Sequence, residues 1–442
     1  MNPIRTLFLT KHLPYPPLGG AAIRNWQNIS LLSRLGPVAT FSIDTDSERS
    51  DNLPSEIISE ITTADTIALN DLDAQRSWRD RLFRKLWQLR RYGHPLADRY
   101  FTFAHQVRLQ QMLETFCPDL VVFEEPWTHQ YLPIVQRYGC RTVYDAHNIE
   151  SCLGKAVYEA NGSAAPSCGV TSSGAISSTA QSKADWHAIQ KLAEIERRLI
   201  EQCDQTWVCS AEEIPLLRRL TSAAVSPAII PNGIEVDSYD LGVAEREPYT
   251  IIFTATFLHP PNAIAAEQLI TQIYPRLKQR YPDCQLWLVG RFPTDLMQQA
   301  ASCDRNIIVT GAVADVRPYL ARASAMVVPL YQGGGTRLKI LEAFAAGCPV
   351  VSTEKGAEGL AYQRDEHLLV ANTADELAAA IEHLWRDRPL VRHLVQSAHR
   401  LVADEYSWKA TLPKIKEAVG KLAPLSSQTQ PINQPKQLEG AI

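Results

Sequence analysis

Residues 333–347 read Gly333-Gly334-Gly335-Thr336-Arg337-Leu338-Lys339-Ile340-Leu341-Glu342-Ala343-Phe344-Ala345-Ala346-Gly347. Three glycines follow an apolar run ending near Pro329 and open a helical pattern, so bare backbone N–H groups can close on an anion at the positive end of a helix. Arg337 and Lys339 add two cations at that end, and a guanidinium grips phosphate through two parallel hydrogen bonds. A diphosphate fits this description. Glu342 lies one turn deeper on the face of Lys339, where its carboxylate can accept from ribose hydroxyls. A surface Lys339–Glu342 pair behind a flexible loop is the other reading.

Two further groups stand where strands should end. Gly19-Gly20 follows the first apolar run and precedes a helical pattern over 23–35, so the backbone there can approach a ligand at the carboxyl edge of a sheet; a glycine turn with no ligand is the alternative. Farther on, Thr142-Val143-Tyr144 runs into Asp145-Ala146-His147-Asn148-Ile149-Glu150. His147 can donate to a sugar hydroxyl or titrate near neutrality. Glu124 and Glu125, at the end of the preceding run, can reach the same cleft or remain surface carboxylates. With Arg24, Asn148 and Glu150, Glu125 makes a set of candidate acceptor contacts. Asp44 and Asp46 match a divalent-ion pair weakly, and no zincin, zinc-cysteine or P-loop pattern occurs, so neither metal nor cofactor is expected.

These groups must be carried by strands in register. Short apolar runs rich in β-branched residues recur between longer helical patterns at 6–9, 38–43, 120–123, 142–144 and 206–209. They restart at 250–254, 286–289, 307–310, 326–328 and 350–352. That alternation predicts two doubly wound α/β domains in series. We expect one domain over 1–226, with a flexible Ser/Ala/Gly/Thr-rich insertion at 161–182, and a second over 227–404. A helix at 405–424 and a disordered tail at 425–442 complete the chain. The 442 residues exceed what one core usually supports.

A formal charge of −4 argues against a surface built to neutralise nucleic acid. Nine scattered cysteines without a C-x-x-C pair read as reduced thiols. Neither a signal peptide nor a long apolar span is apparent, so the expected location is the cytoplasm. One local exception is the stretch 76–91, which sets Arg76, Arg79, Arg81, Arg84, Lys85, Arg90 and Arg91 against the single acid Asp80, with Trp78, Phe83 and Trp87 interleaved. A basic amphipathic helix with aromatics suits an anionic membrane surface, here the inner face of the plasma membrane. A packed helix with a solvated basic face is the plainer reading.

In order and spacing these features resemble the GT-B glycosyltransferases of family 4, also called group 1, which are nucleotide-sugar-dependent retaining enzymes. The markers are Gly19-Gly20, Asp145 through Glu150, Pro231-Asn232-Gly233-Ile234, Pro261-Asn262-Ala263, Gly311 through Asp315 with Val316-Arg317, Gly333 through Gly347, and Tyr406-Ser407-Trp408. The resemblance covers most of 1–420 and implies two Rossmann-like domains facing across a cleft, with the last helix crossing back to the first. It implies a nucleotide diphosphate sugar as donor and a glycan or lipid-linked acceptor in cell-surface polysaccharide synthesis. It further implies His147 on the donor sugar and transition state, Gly19, Gly20, Gly335, Thr336, Arg337 and Lys339 around the diphosphate, and Glu342 on the ribose, with no obligatory metal. Two departures stand out: Gly334 occupies the place of the family's first Glu, and residues 254–262 lack the usual Arg and Lys. Arg337 and Lys339 are expected to supply that charge from the other side. A nucleotide-sugar epimerase and a non-catalytic protein of the same fold stay open.

Overall fold

The computed structural model describes residues 3–13, 15, 17, 19–44, 63–68, 100–160, 178–239, 246–333 and 337–422. Two parallel sheets organise them. The first contains β1 (Thr6–Thr10), β2 (Val38–Asp44), β3 (Thr63–Ala68), β4 (Leu120–Glu124), β5 (Arg141–Ala146), β6 (Gln205–Val208) and β7 (Ala228–Ile229), in the order β3-β2-β1-β4-β5-β6-β7. The second contains β8 (Thr250–Thr254), β9 (Gln285–Val289), β10 (Ile307–Gly311), β11 (Ala325–Val328), β12 (Val350–Ser352) and β13 (Leu369–Val370), in the order β10-β9-β8-β11-β12-β13. Five helices position the site and join the domains: α1 (Gly20–Ser33), α2 (Glu150–Ala160), α3 (Ser178–Gln202), α4 (Leu338–Ala345) and α5 (Trp408–Lys421).

Strands covered by helices on both faces must be apolar throughout, and β1, β4 and β8 are buried at every residue. Side chains alternate between two cores in the first sheet. Leu7, Leu9, Phe41, Val121, Phe123 and Tyr144 join one, while Phe8, Val122, Val143 and Trp207 join the other. The second sheet shares one core with α4 and its neighbours. In each sheet the strand order reverses once, beside β1 in the first and beside β8 in the second. Ligands of such sheets bind outside the carboxyl ends at that reversal.

The chain crosses between domains twice, and the two crossings lie side by side. Ile234 N donates to Tyr406 O at 2.9 Å, and Trp408 N donates to Ile234 O at 3.2 Å. A Cβ on Gly233 would lie 2.3 Å from Tyr406 O, so no side chain fits there. Gln27 of α1 holds the first crossing from the other side, accepting from Gly233 N at 2.6 Å and donating to Pro231 O at 3.1 Å. Ser407 caps α5 by accepting from Ala410 N at 3.1 Å. The helix then returns to the first domain, placing Ile415, Ala418 and Val419 in a core with Phe8, Trp26 and Ile29.

Some boundaries differ from those read off the sequence. Strand β7 pairs with β6, so the first sheet runs past residue 226 and the crossing begins at Pro231. A two-residue strand carries no periodicity that could announce it. Helix α3 starts at Ser178, inside the stretch expected to be flexible. The rest of that insertion, the basic segment 76–91 and the tail 425–442 lie outside the described residues.

Candidate active site

The first half of the site is assembled by α1. Gly19 precedes it at φ 102°, in the region that favours glycine, and the helix buries a polar stripe of Arg24, Asn25, Gln27 and Asn28 against the ends of β4 and β5. The Arg24 guanidinium grips Asp145 through Nε and Nη2, and donates from Nη1 to Ile230 O at 2.7 Å and Asn232 Oδ1 at 2.8 Å. Asn28 adds a third bond to Asp145 at 2.8 Å. Arg24 is therefore not an acceptor contact: its guanidinium is 1% exposed and is spent on the strand end and the domain crossing.

His147 lies one residue beyond β5 and is 6% exposed. Its Nδ1 is 3.3 Å from Glu125 Oε1, and its Nε2 is 3.6 Å from Asp145 Oδ2. Burial alone would lower its pKa, but the two carboxylates outweigh burial and raise it to about 10. Both carboxylates thus favour the charged ring. The loop that carries it is fixed from the far side, where Glu196 of α3 accepts from Glu150 N at 2.7 Å, Ser151 N at 3.1 Å and Ser151 Oγ. A carboxylate borrowed from another helix so caps α2. Asn148 donates to Glu150 Oε1 at 3.1 Å. Both side chains are partly exposed, and burial with the nearby Glu125 charge pushes Glu150 up to about 7.

Glu124, Glu125 and His147 bring one donor atom each within 4.8 Å of one another, a spacing a cation could bridge. Glu124 already accepts from Lys11 N at 2.9 Å and Asn25 Nδ2 at 2.5 Å, and Glu125 lies 4.0 Å from Lys11 Nζ. Asp44, the one described residue of the other metal reading, ends β2.

The second half is built on α4. Gly333 sits at φ 108°, and a Cβ there would stand 3.2 Å from Arg337 Nη1, so glycine at 333 leaves room for the guanidinium. Gly334, Gly335 and Thr336 lie outside the described residues. Arg337 occupies the N-cap position of α4 and donates to Lys355 O at 3.3 Å. Lys339 Nζ donates to Asn262 Oδ1 at 2.9 Å and stands 4.3 Å from the centroid of the Phe253 ring. Lys339 therefore reaches across to the first turn of the helix Pro260–Gln268 that follows β8, in the stretch that lacks its expected cations. Burial and the Arg337 charge lower its pKa to about 7. Burial raises Glu342 to about 7, and its Oε1 accepts from Tyr239 OH at 3.2 Å. Both side chains are half-buried and bonded elsewhere, which argues against the surface-pair reading of Lys339 and Glu342.

The two halves touch. A Cβ on Gly20 would lie 3.6 Å from Leu338 Cδ1 at the start of α4, and Ile23 packs against the second domain's core. One turn later Arg24 grips Asp145 beneath His147. A single helix end thus faces both groups, and the paired glycines let it come close. Sequence reasoning missed Lys11, Trp127 and Tyr239 as neighbours of these groups. Asn262 stood in the sequence only within the family marker Pro261-Asn262-Ala263.

Residues 248–387 match the family model described as Glycosyl transferases group 1. That stretch is similar to the group 1 glycosyltransferases, and the chain has the GT-B fold. Phosphatidyl-myo-inositol mannosyltransferase of Mycolicibacterium smegmatis is 30% identical over 195 residues, 42% of this chain and 50% of that protein. The chain thus spans about half the length of the curated relatives it matches. Sucrose-phosphate synthase of Thermosynechococcus elongatus superposes with a TM-score of 0.66 at 20% identity, covering 95% of this chain and 99% of its own. Anabaena HepE in complex with UDP and glucose gives 0.63 at 15% identity, covering 95% and 100%. These likenesses bear out the two-domain fold.

Proposed function

We propose that this chain is a group 1 glycosyltransferase that moves a sugar from a nucleoside diphosphate sugar to a hydroxyl of a glycan or lipid-linked acceptor, with retention at the anomeric carbon. The observation that carries this reading is the pair Arg337 and Lys339, half-buried where α4 begins and near the helix end that supports His147. Two cations that burial and mutual repulsion disfavour are stabilised by an arriving diphosphate. Glu342 would hold the ribose. The Lys339 and Arg337 charges would stabilise the leaving diphosphate as the C1–O bond breaks, and the His147 charge would favour the same transition state. The acceptor oxygen then bonds to C1 on the face the diphosphate leaves, and its proton passes to a phosphate oxygen. No residue here is required to hold a metal. Asn148 and Glu150, partly exposed beside His147, are the acceptor contacts that best fit.

The name of the mannosyltransferase relatives supports a lipid-linked acceptor, and the UDP complex of HepE supports a nucleotide donor. The basic stretch 76–91 would hold the protein on an anionic membrane surface. Among the described residues no helix is long and apolar enough to cross a membrane.

Incubation with radiolabelled nucleotide sugars and a membrane extract tests the proposal. Transfer or slow hydrolysis, persisting in EDTA, supports it. Conversion of the donor to its epimer would favour the isomerase, and silence with every donor would favour a non-catalytic role. Binding of UDP, GDP and ADP compared by calorimetry would name the base. Cosedimentation with anionic vesicles at low salt, lost on charge reversal of Arg84, Lys85, Arg90 and Arg91, tests the membrane contact.

A further inference from the structure

Glu125 has no motif around it, yet its backbone is the most unusual near the cleft. It adopts φ 53° and ψ 176°, a combination that a residue with a Cβ holds only when its surroundings enforce it. The enforcement is visible. Glu125 N donates to Asp145 O at 3.1 Å, tying the turn to β5, and Pro126 follows directly. The strained turn aims the side chain inward. Its Oε2 accepts from Trp127 Nε1 at 2.9 Å and lies 4.0 Å from Lys11 Nζ, which itself stands 5.6 Å from the Trp127 ring centroid. The other oxygen, Oε1, is the one 3.3 Å from His147 Nδ1.

Arg24, Asp145, His147, Glu125 and Lys11 consequently form a chain in which positive and negative groups alternate, from α1 across β5 to the end of β1. The remaining charges facing His147 are Glu124, Glu150 and Glu213, all acidic. Every carboxylate near the ring favours its charged form, and the one nearest is held there at a conformational cost.

We propose that Glu125 is a positioning residue rather than an acceptor contact: the strained turn clamps the His147 ring between Glu125 and Asp145, so that His147 works as a fixed cation and never as a proton acceptor. This rests on His147 acting in the proposed glycosyl transfer. In that reaction the acceptor proton leaves on the donor phosphate, so a permanently charged ring costs the chemistry nothing.

The test pairs kinetics with a measurement independent of turnover. In the parent, histidine-selective NMR should find His147 charged through pH 9, and kcat should show no titration assignable to it between pH 6 and 9. In Glu125→Gln, His147 should titrate at least tenfold more readily, and kcat should fall as pH rises through the neutral range and recover at low pH. Glu125→Asp should restore most of the parent profile. A merely structural role would lower activity equally at every pH. A parent His147 that loses its proton near pH 6.5, or a folded Glu125→Gln whose His147 titration and pH profile match the parent, would overturn the proposal. Should no donor sugar be transferred, the function reading fails, while the NMR titration of the parent still decides the clamp.

Discussion

The two domains treat buried charge in opposite ways. In the first, Arg24 and His147 each meet carboxylates, and both are held in the charged form. In the second, Arg337 and Lys339 are half-buried near each other, Glu358 and Glu342 do not cancel the cost of desolvation, and the pKa of each is lowered. A self-neutralised cluster has little electrostatic reason to recruit an anion. A pair of cations held at a cost gains by it. The contrast assigns rigidity to the first cluster and anion binding to the second, although both contain a guanidinium at a strand end.

The largest effect expected from breaking the contrast is on stability. Arg24→Met would leave Asp145 charged and buried without its main partner, a loss of about 3–5 kcal/mol, read as a shift of the urea midpoint. Arg337→Met should leave stability nearly intact by comparison. A small loss at Arg24 would show that the first cluster is not self-neutralised.

His147→Ala comes next. Removing one preorganised charge-stabilising group typically lowers turnover roughly 10²–10³-fold, and the loss should fall on kcat more than on KM. Near-parental turnover would confine His147 to a structural role.

Arg337→Ala should weaken a nucleoside diphosphate roughly ten- to hundredfold, from about 1.5–3 kcal/mol for a charged hydrogen bond. The nucleoside without phosphates should bind parent and variant alike. Equal loss for both ligands would move the phosphate site elsewhere.

The smallest effect sharpens the comparison most. Lys339, lowered to about 7, is largely neutral above that pH, and phosphate favours its charged form, so diphosphate binding should take up a proton. Affinity should fall as pH rises above 7, by at most about tenfold per unit. Calorimetry in two buffers of different ionisation heat measures the uptake. Its disappearance in Lys339→Met assigns the proton, whereas persistence would place it on Glu342.

Much of this was legible in the chain itself. The apolar runs at the centres of β1, β4 and β8 announce strands buried on both faces, and their alternation with helices announces the two sheets. Arg337, Lys339 and Glu342 declare themselves by spacing, because a glycine-opened helix places all three locally. The fate of Arg24 was not legible. Its partner Asp145 is 121 residues away, and no local pattern tells a helix arginine that points to a ligand from one that points to a buried carboxylate. Glu125 was hidden for a related reason: its role depends on a backbone angle that tertiary contacts impose against local preference. Tyr239 reaches Glu342 from the interdomain linker, and nothing in a linker's composition says where it will lie.

The return of α5 also sets a timetable. Ile415, Ala418 and Val419 complete a core whose other walls are Phe8, Trp26 and Ile29, so a nascent chain that has emerged through β7 still exposes that wall to water. At 5–20 residues per second, roughly ten to forty seconds of synthesis separate the last strand of the first sheet from the helix that covers it. The second domain is free to fold in that interval, and the first is finished only afterwards, by a helix made after the whole second sheet.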